Sequence, residues 1–231
     1  MSRPVVLFDF GGTLDADGAH WAARFHAAYR AAGGSAAFPA FETLFKVSDR
    51  ALERLPEIRT LGFQAMIEAQ ARLLCDLLHD GATVDPTRVA VRFHAEAVAT
   101  VARNRPLLER LARDYQLGVV SNFSGNLELC LAELELSPYF VAVADSAVVG
   151  VAKPDRRIFT ETLARLDTPP GLAWMVGDNF EMDIRPAVAL GMRTCWVAPA
   201  ERRTPGGVTP SGRVAQLPEL EDLLLSNPCT G

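Results

Sequence analysis

The run Val5-Val6-Leu7-Phe8-Asp9-Phe10-Gly11-Gly12-Thr13-Leu14-Asp15 decides how the rest of the chain is read. Four apolar residues rich in β-formers lead into a carboxylate, and two glycines follow. A short apolar run that ends in a turn reads as a strand buried on both faces. Asp9 then stands at the carboxyl end of that strand, where open α/β sheets place their ligands. The glycines let the loop double back and leave backbone N–H groups uncovered near Asp9. Taken alone, the run is equally a strand followed by a glycine turn, with Asp9 as a turn former. The motifs further along separate the two readings.

Downstream of Asp15 the periodicity changes from strand to helix. Trp21, Phe25 and Tyr29 recur every four residues, and Gly33-Gly34 supplies a stop. Phe41, Leu44 and Phe45 form a second short helical face, with Lys46 near its end or in the loop after it. A third helix carries Met66, Gln70, Leu73 and Leu77 and is expected to end at Gly81. Asp85-Pro86 pairs an N-cap with a proline at the first helical position and introduces a helix bearing Val89, Phe93, Ala97 and Val101. No strand is evident from Ala16 to about Thr100. Pro106 is expected to break the pattern, and Leu107, Leu108, Leu111 and Tyr115 then mark a new helix. From there strands alternate with helices. Leu117–Val120 ends in Ser121-Asn122, and Phe140–Ala144 is the next strand. Lys153-Pro154-Asp155 opens a helix, Ala173–Val176 ends in Gly177-Asp178-Asn179, and Thr194–Val197 is the last strand. Arg202 to Gly212 reads as a surface loop and Leu217 to Leu225 as a closing helix. Five β-runs separated by helical patterns imply a Rossmann-like, doubly wound parallel α/β sheet. Residues 1–15 and 101–231 would form that core, and residues 16–100 an inserted all-helical cap.

Composition narrows the function classes. The chain has 231 residues, of which 49% are hydrophobic, enough for one sizeable core or for a core plus a small second module. A net charge of −5 argues against a nucleic-acid or membrane-surface binder, while a local pocket for an anionic substrate remains open. Arginine supplies nearly all the positive charge; the only lysines are Lys46 and Lys153. Cys75, Cys130, Cys195 and Cys229 are far apart and read as reduced structural thiols. Neither a signal peptide nor an apolar run of transmembrane length is evident, so a cytoplasmic location is expected. Nothing in the sequence fixes the oligomeric state.

Three strands end in polar groups at the same relative place: Asp9, Ser121 and Asp178. In a parallel sheet these ends share one edge, so residues distant in sequence converge. Each has a simpler reading as turn or cap, and Lys153-Pro154 has one as a helix start, but four such features on one edge are hard to assign to coincidence. Together the residues resemble the haloacid dehalogenase superfamily of hydrolases. Asp9-Phe10-Gly11-Gly12-Thr13-Leu14 is similar to its D-x-D-G-T-[LV] motif with one change. Ser121-Asn122 resembles the second motif and Lys153-Pro154-Asp155 the third. Gly177-Asp178-Asn179-Phe180-Glu181-Met182-Asp183 resembles the fourth, G-D-x-x-x-x-D. The helical insertion lies where members carry a mobile cap.

The resemblance implies a Mg²⁺-dependent phosphohydrolase acting on a small phosphorylated metabolite. Asp9 would be the nucleophile, forming an aspartyl-phosphate that water hydrolyses. Mg²⁺ would be held by Asp9, Asp178 and the backbone carbonyl of Gly11, with Asp183 at the edge of the site. Gly12, Ser121 and the N–H of Asn122 would hold phosphoryl oxygens, and Lys153 would set a positive charge beside the transferring group. Gly11 departs from the pattern, because family phosphatases place an aspartate there as general acid and base. Such help is typically worth 10²–10⁴-fold in rate. A leaving group that needs no acid would bypass the loss, or Asp15, Asp17 or His20 could supply the proton. A third route is carbon–phosphorus cleavage, for which family members use a cap lysine; Lys46 is the only candidate. A phosphoryl-binding module without catalysis is the non-enzymatic alternative. The metal-free dehalogenase branch is disfavoured, because its members lack the acidic pair at Gly177-Asp178. His26, His79 and His94 read as surface or cap-packing residues, and Trp21, Trp174 and Trp196 as core.

Overall fold

The structure, a computed structural model, describes residues 3–79 and 83–226. The first strand, β1 (Val5–Phe8), is completely buried, as its unbroken apolar run requires. Four helices follow: α1 (Trp21–Ala31), α2 (Phe38–Leu52), α3 (Phe63–Leu78) and α4 (Pro86–Asp114). Strands and helices then alternate through β2 (Gln116–Ser121), α5 (Leu127–Glu133), β3 (Ala142–Asp145), α6 (Ser146–Val149), α7 (Arg157–Arg165) and β4 (Ala173–Gly177). The chain continues with α8 (Arg185–Val188), β5 (Arg193–Val197), β6 (Gly212–Val214) and α9 (Leu220–Ser226).

The strands are all parallel, in the order β3-β2-β1-β4-β5-β6. This is the expected doubly wound α/β sheet with a sixth strand added. β6 is three residues long and follows the Gly/Pro-rich stretch, too short for any periodicity to show. β1 lies at the centre, with β2 on one side and β4 on the other. Phe8 pairs with both Val119 and Val176, so the residues just past those positions emerge side by side. Side chains alternate across β1. Val6 and Phe8 pack into the core shared with the four inserted helices, and Val5 and Leu7 into the core under α7. The first of these cores continues into the insertion through Phe10, Phe25, Phe63 and Phe93.

Two expectations about the helices change. Pro106 does not break the chain; α4 runs through it for 29 residues. Val101, Leu107, Leu108 and Leu111 are buried on either side of an exposed Pro106, so packing holds the helix while the unmatched carbonyl faces water. The boundary expected between residues 100 and 101 thus falls inside α4. Gly81 lies outside the described residues; α3 closes at His79, which adopts the left-handed conformation. Asp85 caps α4 as expected, accepting the Thr87 N–H at 2.8 Å. Cys75, Cys130 and Cys195 are buried, while Cys229 lies outside the described residues. No helix among the described residues is long and apolar enough to cross a membrane.

Candidate active site

Register alone brings Asp9, Ser121 and Asp178 to one edge of the sheet, and the loops add Lys153 and Asp183. Asp9 Oδ1 accepts hydrogen bonds from Ser121 Oγ at 3.0 Å and Lys153 Nζ at 2.6 Å. The same ammonium donates to Asp183 Oδ1 at 2.6 Å. Asn122 fastens the lysine's backbone from both sides: its Oδ1 accepts the Lys153 N–H at 2.7 Å, and its Nδ2 donates to the Lys153 carbonyl at 2.9 Å. Thr13 Oγ1 lies 3.4 Å from Asp9 Oδ2 and 3.3 Å from Asp178 Oδ1, and accepts the Asp178 N–H at 3.0 Å. Trp196 Nε1 holds the Asp178 carbonyl at 2.9 Å, and the Asn179 N–H holds Asp183 Oδ2 at 3.0 Å.

The carboxylates of Asp9, Asp178 and Asp183 are buried, with ligand atoms all within 4.8 Å of one another. Three carboxylates face a single ammonium, and the electrostatics register the imbalance. Burial, then the charges of Asp9 and Asp183, push Asp178 well above the usual carboxylate range. Burial lifts Asp183 to about 6, although Lys153 pulls against it. For Lys153, burial opposes the charge, but Asp183 and Asp9 outweigh it and keep the ammonium protonated well above its usual range. Such a donor set, all hard oxygens with a deficit of positive charge, fits a divalent cation of the Mg²⁺ kind.

The glycines are fixed by crowding. Gly12 has φ +96°, and a Cβ there would lie 2.7 Å from Asp178 Oδ2. A Cβ on Gly177 would lie 2.3 Å from Asp183 Oδ2. The Gly12 N–H, expected to face phosphate, instead donates to Asp15 Oδ1 at 2.8 Å. What Gly12 contributes is the close approach of the loop to Asp178.

The three suggested proton donors divide. Asp15 is fully buried and locked, accepting from Gly12 N, from Trp21 Nε1 at 2.9 Å and from Arg24 Nη1 at 2.6 Å. It cannot swing toward Asp9. Asp17 is held by Arg103, Asn104 and the Leu217 N–H. His20 does reach the cleft that opens over Asp9. Its Nδ1 caps α1 by accepting the Ala22 N–H at 3.2 Å, and partial burial holds its pKa below the usual value. Lys46 does not line the cleft; it sits in the middle of α2, exposed, 3.1 Å from Glu42. Trp174 and Trp196 are core, as expected, but Trp21 is a wall of the cleft. His26 and His94 pack within the insertion, against Phe41 and Phe63 respectively.

The cleft encloses about 190 Å³ between the sheet edge and the inserted helices. Its floor is Asp9, Ser121, Lys153, Asp178 and Asp183; its roof includes Trp21, Phe45, Asp49, Leu52 and Met66. Sequence reasoning missed Thr13, Arg24 and Asp49. Thr13 stood in the quoted motif with no role assigned. Arg24 and Asp49 carry no spacing signal.

With this geometry in view, the comparisons are specific. Residues 4–191 match the haloacid dehalogenase-like hydrolase family. Pyrimidine 5'-nucleotidase YjjG of Escherichia coli is 36% identical over 61% of this chain and 65% of its own length. A phosphoserine phosphatase of Thermus thermophilus is 34% identical over 49% of this chain and 46% of its own. Each alignment spans less than two thirds of the relative's length. Among solved structures, a 2-haloacid dehalogenase from Pseudomonas syringae superposes with a TM-score of 0.56 at 25% identity, covering 97% of this chain and 99% of the other. The ordered carboxylates, their lysine and the match over most of the sequence lead to one conclusion: this chain belongs to the haloacid dehalogenase-like hydrolases.

Proposed function

We propose that the protein is a Mg²⁺-dependent phosphohydrolase that takes a small phosphorylated metabolite through an aspartyl-phosphate on Asp9. The observation that carries this reading is the buried cluster of three carboxylates, two of which, Asp9 and Asp183, share Lys153. Relatives named as a nucleotidase and a phosphatase agree with it. Asp9, Asp178 and the Gly11 carbonyl would hold the cation, with Asp183 at its edge. Bound there, Mg²⁺ would offset the repulsion between a carboxylate nucleophile and an anionic phosphoryl group. Asp9 Oδ1 is already held by Lys153 and Ser121, whereas Oδ2 is touched only by Thr13 at 3.4 Å among the described residues. Oδ2 is therefore the freer atom for in-line attack. Ser121 Oγ and the Asn122 N–H would hold phosphoryl oxygens, and Lys153 would keep its charge beside them through the reaction.

The test is phosphate release from a panel of monoesters with and without Mg²⁺, comparing the wild type with Asp9→Asn. We expect metal dependence and a loss of about 10³-fold or more in the variant. Mass spectrometry of the quenched enzyme should find phosphate on Asp9. Turnover that ignores the metal, or an Asp9→Asn enzyme as fast as the wild type, would end this reading.

A further inference from the structure

The family pattern expects a proton donor on the residue two after the nucleophile, and here that residue is Gly11. The structure shows that Trp21 crowds that place. A Cβ on Gly11 would come within 3.2 Å of the Trp21 indole, which is itself pinned by its bond to Asp15. The proton has to come from elsewhere. In-line displacement sets the leaving oxygen on the far side of phosphorus from Asp9. That side is the roof of the cleft, so a donor carried by the inserted helices faces the correct atom.

Among the described residues lining the roof and rim, three carry a titratable proton: His20, Asp49 and Glu53. His20 spends Nδ1 on the α1 cap, which anchors the ring to its own helix, and burial lowers its pKa. Glu53 is exposed and turns partly into the adjoining groove with Arg59. Asp49 lies one helical turn after Phe45, on the stripe of α2 that faces Asp9 across the cleft. Its carboxyl has no ion-pair or hydrogen-bond partner among the described residues.

The geometry points to Asp49 as the general acid and base of the reaction, supplied from the inserted helices in place of the residue lost at Gly11. This assignment rests on the phosphohydrolase reading above. As Asp9 Oδ2 bonds to phosphorus, the bond from phosphorus to the leaving oxygen breaks, and that oxygen takes the proton of Asp49 to leave as an alcohol. In the second step the Asp49 carboxylate takes a proton from the attacking water. The bond from phosphorus to Asp9 breaks, and phosphate departs with Asp49 protonated again. Burial first, and the Glu53 charge second, lift Asp49 to about 6 against the opposing pull of Arg50. A group in that range both holds and releases a proton near neutral pH. The other titratable groups that line the cleft with it are His20 and Glu53 at the rim and the Asp9, Lys153, Asp178 and Asp183 set on the floor.

The experiment measures kcat/KM for 4-nitrophenyl, phenyl and n-butyl phosphate with Mg²⁺, in the wild type, Asp49→Asn, Asp49→Glu and His20→Asn. An acid matters most where the leaving group is poor. Asp49→Asn should lose about 10²–10⁴-fold on n-butyl phosphate and less than about tenfold on 4-nitrophenyl phosphate, with Asp49→Glu recovering part of the larger loss. Turnover of the activated ester also reports that the variant is folded. Equal losses on all three esters, no loss on any, or a selective loss in His20→Asn instead would overturn the assignment. If the wild type releases no phosphate even from 4-nitrophenyl phosphate, the phosphohydrolase reading fails first, and the two failures are distinct.

Discussion

On the floor of the cleft each carboxylate is held. Asp9 and Asp183 share Lys153, Asp178 is touched by Thr13, and beneath them Asp15 is closed off by Arg24, Trp21 and the Gly12 N–H. On the roof Asp49 lines the cleft with Phe45, Leu52 and Met66, with the like charge of Glu53 and the weaker opposite charge of Arg50 beside it. On the floor, removing any member strands a charge that burial makes costly. The roof keeps a carboxylate at a cost in stability, as groups reserved for reaction commonly are. The same residue type therefore does two jobs: fixed in geometry where it builds the site, and unpaired where its proton must move.

Experiments can press on that contrast, beginning with the floor. Asp15→Asn keeps an acceptor for Gly12 but leaves Arg24 buried without its counter-charge. We expect a loss of about 3–5 kcal/mol in chemical denaturation. A loss below 1 kcal/mol would mean that the loop is held by something other than this pair. Next, Mg²⁺ should stabilise the folded protein by about 2.7 kcal/mol at one hundred times its dissociation constant, and Asp178→Asn should shrink that gain. A thermal midpoint indifferent to Mg²⁺ would remove the cation from the floor.

Gly11→Ala tests where floor and roof meet. The new methyl forces Trp21 to give way, at about 1–2 kcal/mol, and pairing it with Trp21→Phe should recover part of that cost. If the single variant is as stable as the wild type, Trp21 does not occupy the space as described.

The smallest effect is on the roof and has the opposite sign. Asp49 binds its proton more tightly folded than unfolded, with a pKa raised from 3.8 to about 6. Its ionisation therefore weakens the fold as pH rises through that interval, fully so above it. Asp49→Asn should stabilise the protein by about 1 kcal/mol at pH 7, once partial solvent screening is allowed for. The gain should disappear below about pH 4, where both states are protonated. Denaturation curves at the two pH values suffice, and a destabilising Asp49→Asn at pH 7 would show that the side chain is paired after all.

The site was legible where chemistry coincides with a strand end. Asp9, Ser121 and Asp178 could be aligned without coordinates, since parallel strands deliver their carboxyl ends to one edge. Lys153 stood out through the scarcity of lysine, and Asp183 through its spacing from Asp178. Other readings failed for local reasons. Asp15 resembles a mobile acid in sequence and is immobile in the fold, because its partner Arg24 is nine residues away on a helix whose facing direction no motif reveals. Trp21 sits on an apolar stripe like any core residue, yet that stripe ends against Gly11. Pro106 carries a strong breaker signal that packing on both sides overrides. Lys46 was suspect as the only lysine of the insertion, and α2 turns it outward.

The sequence by itself determined the sheet, the edge at which the chemistry gathers, and the absence of a proton donor at Gly11. Short-range rules govern all three: apolar runs make strands, strands in parallel align their ends, and glycine has no side chain to titrate. Only the tertiary structure decided that Trp21 crowds the place of the missing acid and that Asp49 lines the same cleft as Asp9. Those facts depend on how α1 and α2 are rotated and docked over the sheet. That orientation is set by many weak apolar contacts distributed over the insertion, and no single residue of the chain announces it.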